Sequence, residues 1–242
     1  MKKFLLFIFI VLSIIPNQTV AQNNGAVAAT AVIGAGLVIG AGIAAVEEMK
    51  EQAEQTATEW ILTNHPELTS FSLETLDFNG KKVKDMSSVS VITFKIREFK
   101  PSIKPVLDGK KKVLFGFTSN GWINEYGINF SKVRWHLLDS SDWMNMMISY
   151  VKVASGEEDE NLIKVSLENG RIYNYGIKVK SKLVIPFYKL KGDMYVVTDY
   201  SPEMKFIYNE KTLGIYLKET MDLVQIAKST LIDIHKYFYD DE

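Results

Sequence analysis

Hydrophobic and polar positions change their rhythm three times along this chain, and each rhythm implies a different kind of element. Lys2 and Lys3 precede an apolar run from Phe4 to Ile15, and a polar stretch closes at Thr19-Val20-Ala21. This is the order of a secretory signal peptide, residues 1–21, with cleavage expected after Ala21. The run is too short for a spanning helix, which needs about 20 apolar residues. From Gly25 to Val46 the chain carries 22 residues without a charge. As a helix at about 1.5 Å per residue this segment would cross a bilayer core. Its five Gly and eight Ala leave four Val, three Ile and Leu37 as the lipophilic residues. Those contribute about −2.4 to −4.8 kcal/mol on an insertion scale, so spanning is marginal.

Between Val46 and Leu62 the period becomes helical. Val46, Met49, Ala53, Ala57, Trp60 and Ile61 recur at steps of three and four among Glu47, Glu48, Lys50, Glu51 and Glu54. Asn64-His65-Pro66 ends this amphipathic helix, assigned to residues 47–66. With no breaker before it, the helix is expected to continue the Gly/Ala segment as a stalk.

Beyond Pro66 the alternation has period two, and residues 67–242 form the folded domain. Phe71, Leu73, Leu76 and Phe78 precede Asn79-Gly80, and Val89 to Ile96 make a second strand. The Pro101–Lys112 loop, with two prolines and Gly109, is expected to divide a small first hairpin from the main sheet. Strands are predicted at Val113–Thr118, Ile123–Phe130 and Val133–Leu137. Asp139, Ser140 and Ser141 can cap a helix whose stripe is Trp143, Met146, Met147, Tyr150, Val151 and Ala154. Core packing explains that stripe better than a methionine-lined groove. Leu162–Glu168, Asn169-Gly170 and Arg171–Val179 read as a type I′ hairpin with Glu168 opposite Arg171. Short strands at Leu183–Tyr188, Met194–Thr198, Lys205–Tyr208, Leu213–Leu217 and Leu223–Ile226 give a meander. Leu231–Tyr239 reads as a last helix capped by Ser229 or Thr230, with a strand as the competing assignment. The fold class is therefore α+β, mainly antiparallel, with one or two packed helices. Asn120–Ile128 matches Asn169–Ile177 at six of nine positions, 49 residues apart, which raises duplication as an alternative to two similar turns.

Composition adjusts this picture in two respects. With 28 Lys+Arg against 29 Asp+Glu there is no basic excess of the kind nucleic-acid binding requires. There is no cysteine, which excludes disulfides, thiolate metal sites, cysteine nucleophiles and lipidation of an N-terminal Cys. Any membrane attachment then falls to the Gly/Ala segment, where Gly36, Gly40 and Ala44 share one ridge and allow close helix–helix approach. A flexible linker, or an Ala-rich helix packed on the domain, is the alternative. The strong signal and weak stop-transfer favour an exported, envelope-side protein, with a homo-oligomer and membrane contact through that ridge as its expected associations.

Catalytic signatures are sparse. His65, His136 and His235 are scattered, and no HExxH, GxSxG, P-loop, GxGxxG or EF-hand occurs. His65 fits a helix end, His136 a strand, and His235 a helix surface or C-terminal dipole partner. Glu157–Glu160, Lys110–Lys112 and Asp240–Glu242 read as solvated charge. No catalytic residue, metal ligand or cofactor is assigned. Trp122, Tyr126, Tyr173 and Tyr175 follow the two Asn-Gly turns, where exposed rings would stack on sugars or grip a peptide, and buried rings would pack across strands. The leading expectation is a non-enzymatic binding or structural module. The alternatives are an exported hydrolase with dispersed Asp, Glu and His residues, and a carbohydrate- or peptide-binding domain using these aromatics.

Overall fold

The computed structural model describes residues 43–77, 89–124, 127–187, 196–208 and 212–240. The signal-peptide assignment, Gly36, Gly40, the Asn79-Gly80 turn and Tyr126 lie outside them. Among the described residues the chain is α+β, with four α-helices, two four-stranded antiparallel sheets, one three-stranded sheet and a two-stranded hairpin.

Helix α1 (Ile43–Asn64) begins inside the Gly/Ala segment and is followed by β1 (Phe71–Asp77), β2 (Ser90–Glu98) and β3 (Lys111–Thr118). These strands pair in the order β1-β2-β3-β6, with β6 at Val133–Leu138. The Pro101–Lys112 loop does not divide the sheet as expected. Strands β2 and β3 pair directly across it, from Arg97 opposite Lys111 to Ser90 opposite Thr118.

Strand parity gives this sheet two apolar faces. Ile92, Phe94, Ile96 and Leu114 point one way, where Met49, Ala53, Ala57 and Ile61 of α1 bury against them. The stalk expectation is thereby corrected, because α1 lies on the sheet as an outer layer. Its two fully buried alanines allow close approach, and uncovering the sheet face would expose a whole cluster to water. Val91, Val113, Phe115 and Phe117 point the other way into the main core.

That core is completed by α2 (Ser140–Ser155), α3 (Glu160–Asn169), α4 (Lys228–Tyr239) and the inner faces of the remaining sheets. Asp139 caps α2 by accepting from Ser141 and Asp142 N–H, and the methionine stripe is buried as core. Strands β10 (Val196–Asp199), β11 (Met204–Tyr208), β12 (Thr212–Leu217) and β13 (Asp222–Ala227) form the expected meander in sequence order. The C-terminal segment is helical, but Ala227 occupies its N-cap with no side-chain cap, so neither Ser229 nor Thr230 serves.

The largest departure from expectation is at residues 160–179. Leu162–Glu168 is not a strand but lies within α3, and Asn169-Gly170 is not a hairpin turn. Asp159 accepts from Asn161 and Leu162 N–H at 2.9 and 3.1 Å, which starts a helix. Ile163, Ser166 and Leu167 then supply a buried stripe at helical spacing, while Val165 stays exposed. At Gly170 a Cβ would stand 2.4 Å from the Ser166 carbonyl oxygen, so glycine lets the chain leave the helix tightly. The hairpin comes later, between β7 (Arg171–Tyr173) and β8 (Gly176–Val179), with β9 (Lys182–Pro186) as its third strand. Arg171 faces Lys178, not Glu168. Lys180 and Ser181, both at positive φ, connect β8 to β9.

The internal likeness resolves into one repeated hairpin register. The expected strand Ile123–Phe130 is instead β4 (Ile123–Asn124) paired with β5 (Gly127–Ile128), followed by a 3-10 turn at Phe130–Lys132. Ile123 opposes Ile128 and Asn124 opposes Gly127. At equivalent positions Ile172 opposes Ile177 and Tyr173 opposes Gly176. One isoleucine pair plugs the core under α1 and the other the main core. A strand leads into the first hairpin and a helix into the second, so the structural likeness is confined to the hairpins.

Candidate functional site

The aromatic candidates part company once placed in the fold. Trp122 is 2% exposed, packed under α1 with Ile123 and Val133, so its ring cannot serve as a surface platform. It follows the Asn120-Gly121 turn at a point where the chain enters the core, and turn chemistry alone does not reveal that direction. Tyr173 and Tyr175 are 38% and 49% exposed, on the outer face and turn of the β7–β8 hairpin.

Their positions follow from local rules. Ile172, Ile177 and Ile185 anchor the three-stranded sheet to the core, and the period of two sends Arg171, Tyr173 and Lys178 outward. The turn is held from behind: Lys228 Nζ donates to the Asn174 carbonyl at 3.1 Å, and Phe187 N–H to the Tyr175 carbonyl at 2.9 Å. The two tyrosine rings lie 5.7 Å apart and within 21° of parallel. The Lys178 ammonium sits 5.2 Å from one centroid and 5.1 Å from the other. A hydrogen bond to the Tyr175 side chain raises Lys178 above its ordinary pKa, so it is cationic at neutral pH.

Exposed Leu183, in register with Lys178, extends the apolar area, and Val184 lies beside it. Arg171 stands 3.8 Å from the Asp240 carboxylate at the other margin. The face therefore combines flat aromatic surface, aliphatic surface and fixed cations. Lys178 and Leu183 were not singled out by sequence. The only trace was the Tyr-x-Tyr-Gly-Ile-Lys run, whose register depends on where the turn falls.

A groove on the first sheet differs in character from this exposed face. Between α1 and the edge strand β1 runs an open groove of about 850 Å³, lined by Glu51, Glu54, Leu62, Phe71, Leu73 and Phe99. Thr75 hydroxyl donates to the Glu54 carboxylate at its margin.

The histidines do not converge. His65 contacts Glu67 at 3.0 Å beside Trp60, at the helix end as expected. His136 packs edge-on against Phe117, and burial lowers its pKa despite Glu203 and Glu219. His235 is not on a helix surface: it is buried, with Trp143 Nε1 donating to Nδ1 at 3.3 Å and Nε2 donating to the Leu167 carbonyl at 2.9 Å. Both ring nitrogens are committed to joining α2, α3 and α4. Among the described residues no group of three His, Asp or Glu side chains is placed to hold a metal ion, and no helix is long and apolar enough to cross a membrane.

Fold and site together define an α+β, antiparallel-sheet protein with an aromatic and cationic surface. Comparison with protein-family models, curated proteins and solved structures finds no match to the chain.

Proposed function

We propose that this protein is an exported, membrane-associated, non-enzymatic binding module of the cell envelope. Its ligand is an acidic carbohydrate chain, held on the outer face of the β7–β9 sheet. The observation that carries this reading is the exposed, near-parallel Tyr173–Tyr175 pair with the Lys178 ammonium nearly equidistant from both ring centroids. Tyrosine rings present an apolar face to the C–H side of a sugar while the phenol keeps a polar edge. Lys178 and Arg171 supply charge for carboxylate or sulfate groups, the hydrogen bonds that gain most from ionisation. Export is supported by the basic, apolar and small-residue order of residues 1–21. Self-association is assigned to the Gly36, Gly40 and Ala44 ridge.

Titration calorimetry with an acidic and a neutral polysaccharide tests the ligand assignment. Tyr173→Ala with Tyr175→Ala should weaken binding of the acidic chain by about tenfold or more, which is about 1.4 kcal/mol. Lys178→Gln should reduce binding and its salt dependence. Equal affinity in wild type and the folded double variant would sink this reading, as would preference for the neutral chain.

A further inference from the structure

The β2–β3 connection presents an apolar surface that neither core absorbs. Ile103 is fully exposed, and Val106 and Leu107 are 67% and 50% exposed. These aliphatic side chains are interspersed with lysines: residues 99–110 hold Lys100, Lys104 and Lys110 against a single acid, Asp108, and Lys111 and Lys112 open β3 at the base of the loop, Lys111 turned to the Tyr237 ring. The chain as a whole is nearly neutral, so this loop is a local concentration of positive charge.

The loop is built to hold its tip outward. Glu98 N–H donates to the Lys110 carbonyl and Gly109 N–H to the Glu98 carbonyl, each at 3.0 Å, which closes the base. A Cβ at Gly109 would lie 2.4 Å from the Glu98 carbonyl oxygen, so this closure requires glycine. Arg97 Nε donates to the Leu107 carbonyl at 2.8 Å, and Asp108 N–H to the Val106 carbonyl at 3.0 Å. Pro101 and Pro105 remove two backbone donors from the tip and restrict its φ angles.

We infer that this loop is a membrane-docking element. Ile103, Val106 and Leu107 enter the headgroup and upper acyl region of an anionic lipid surface while Lys100, Lys104 and Lys110 engage lipid phosphates. The composition favours lipid over a protein partner. Protein interface centres are enriched in aromatics and Arg and depleted in Lys, whereas Lys beside aliphatic side chains suits the membrane boundary, where long stems let the ammonium reach water. An irregular backbone cannot enter the hydrocarbon core, so the contact stays at interfacial depth. Each lysine near an anionic surface should strengthen partition roughly fivefold, screened by salt. This docking is independent of the Gly/Ala segment and of the carbohydrate reading.

The absence of native cysteine allows a local readout in the full chain. Ile103→Cys, labelled with a nitrobenzoxadiazole fluorophore, is mixed with vesicles of phosphatidylglycerol and phosphatidylcholine in equal parts. Glu158→Cys, on the exposed α2–α3 connection, is the reference position. Emission at 103 should shift to the blue and rise several-fold on anionic vesicles, with quenching by lipid-borne spin label, while emission at 158 stays unchanged. Val106→Asp with Leu107→Asp, or Lys100→Glu with Lys104→Glu, should abolish the change at 103 without altering far-ultraviolet circular dichroism. An unchanged spectrum at 103 would overturn the inference, whether the anionic vesicles capture the chain by another segment or do not capture it. So would a blue shift without vesicles that grows with protein concentration, since it would mean that the loop buries itself against protein.

Discussion

His235 shows how much a single side chain can bind together. Its imidazole accepts from Trp143 of α2 and donates to the carbonyl of Leu167 in α3, which fixes the neutral form with the proton on Nε2. Burial lowers its pKa from the ordinary 6.5, a shift that the Leu167 carbonyl and Asp240 only partly oppose. Below pH 6.5 the unfolded chain takes up a proton that the folded chain resists, so stability is complete above that value and falls as pH drops through it. His136, also lowered by burial, acts in the same direction. The urea midpoint should therefore decrease between about pH 7.5 and pH 5. His235→Phe should cost about 1–3 kcal/mol, from an orphaned indole N–H and a carbonyl, and should leave only the shallower dependence due to His136. An unchanged pH slope in that variant would refute the assignment. The sequence held no sign of this role, since a histidine on a helix reveals its surroundings only after the other two helices have packed.

Among the elements, α3 carries the lesson about local pattern. Leu162–Glu168 contains an alternating apolar series and ends in Asn-Gly, which suits a strand and turn, but it also contains Ile163 and Leu167 four apart behind a capping aspartate. Helix formation prevailed because Ile163, Ser166 and Leu167 bury together against the main core, and because Asp159 satisfies two otherwise orphaned N–H groups. Asp159→Ala should lower stability by about 0.5–2 kcal/mol, measured by urea unfolding, whereas a strand here would leave the change near neutral. Elements with one dominant pattern were legible: α2 from its cap and stripe, β2 and β3 from alternation, and β10–β13 from evenly spaced turns. Tyr173 and Tyr175 were legible as candidates, but the turn at Asn174-Tyr175 is what brings Lys178 and Leu183 into register beside them, and that turn depends on α3 ending at Asn169.

At the scale of the whole molecule, α1 joins two regimes. Its first residues belong to the uncharged Gly/Ala stretch, and from Met49 onward it is one layer of the domain. Self-association through Gly36 and Gly40 would therefore act in the sequence that precedes a helix already fixed to the first sheet. Gly36→Leu with Gly40→Leu should deplete crosslinked oligomers in membrane extracts while leaving the domain's thermal unfolding unchanged. Oligomers of undiminished yield would remove that ridge from the proposal.

The amino-acid sequence by itself determined the α+β class, the antiparallel meander, the amphipathic nature of α1 and the absence of thiol chemistry. These rest on periodicity and composition, which act over a few residues. Tertiary structure decided the rest: that α1 docks instead of standing free, that Trp122 turns inward while Tyr173 and Tyr175 stay out, that residues 162–168 wind as helix, and that His235 is buried. Each of these depends on which apolar face finds a partner across long sequence separation, and burial of that face outweighs local preference wherever two patterns coexist.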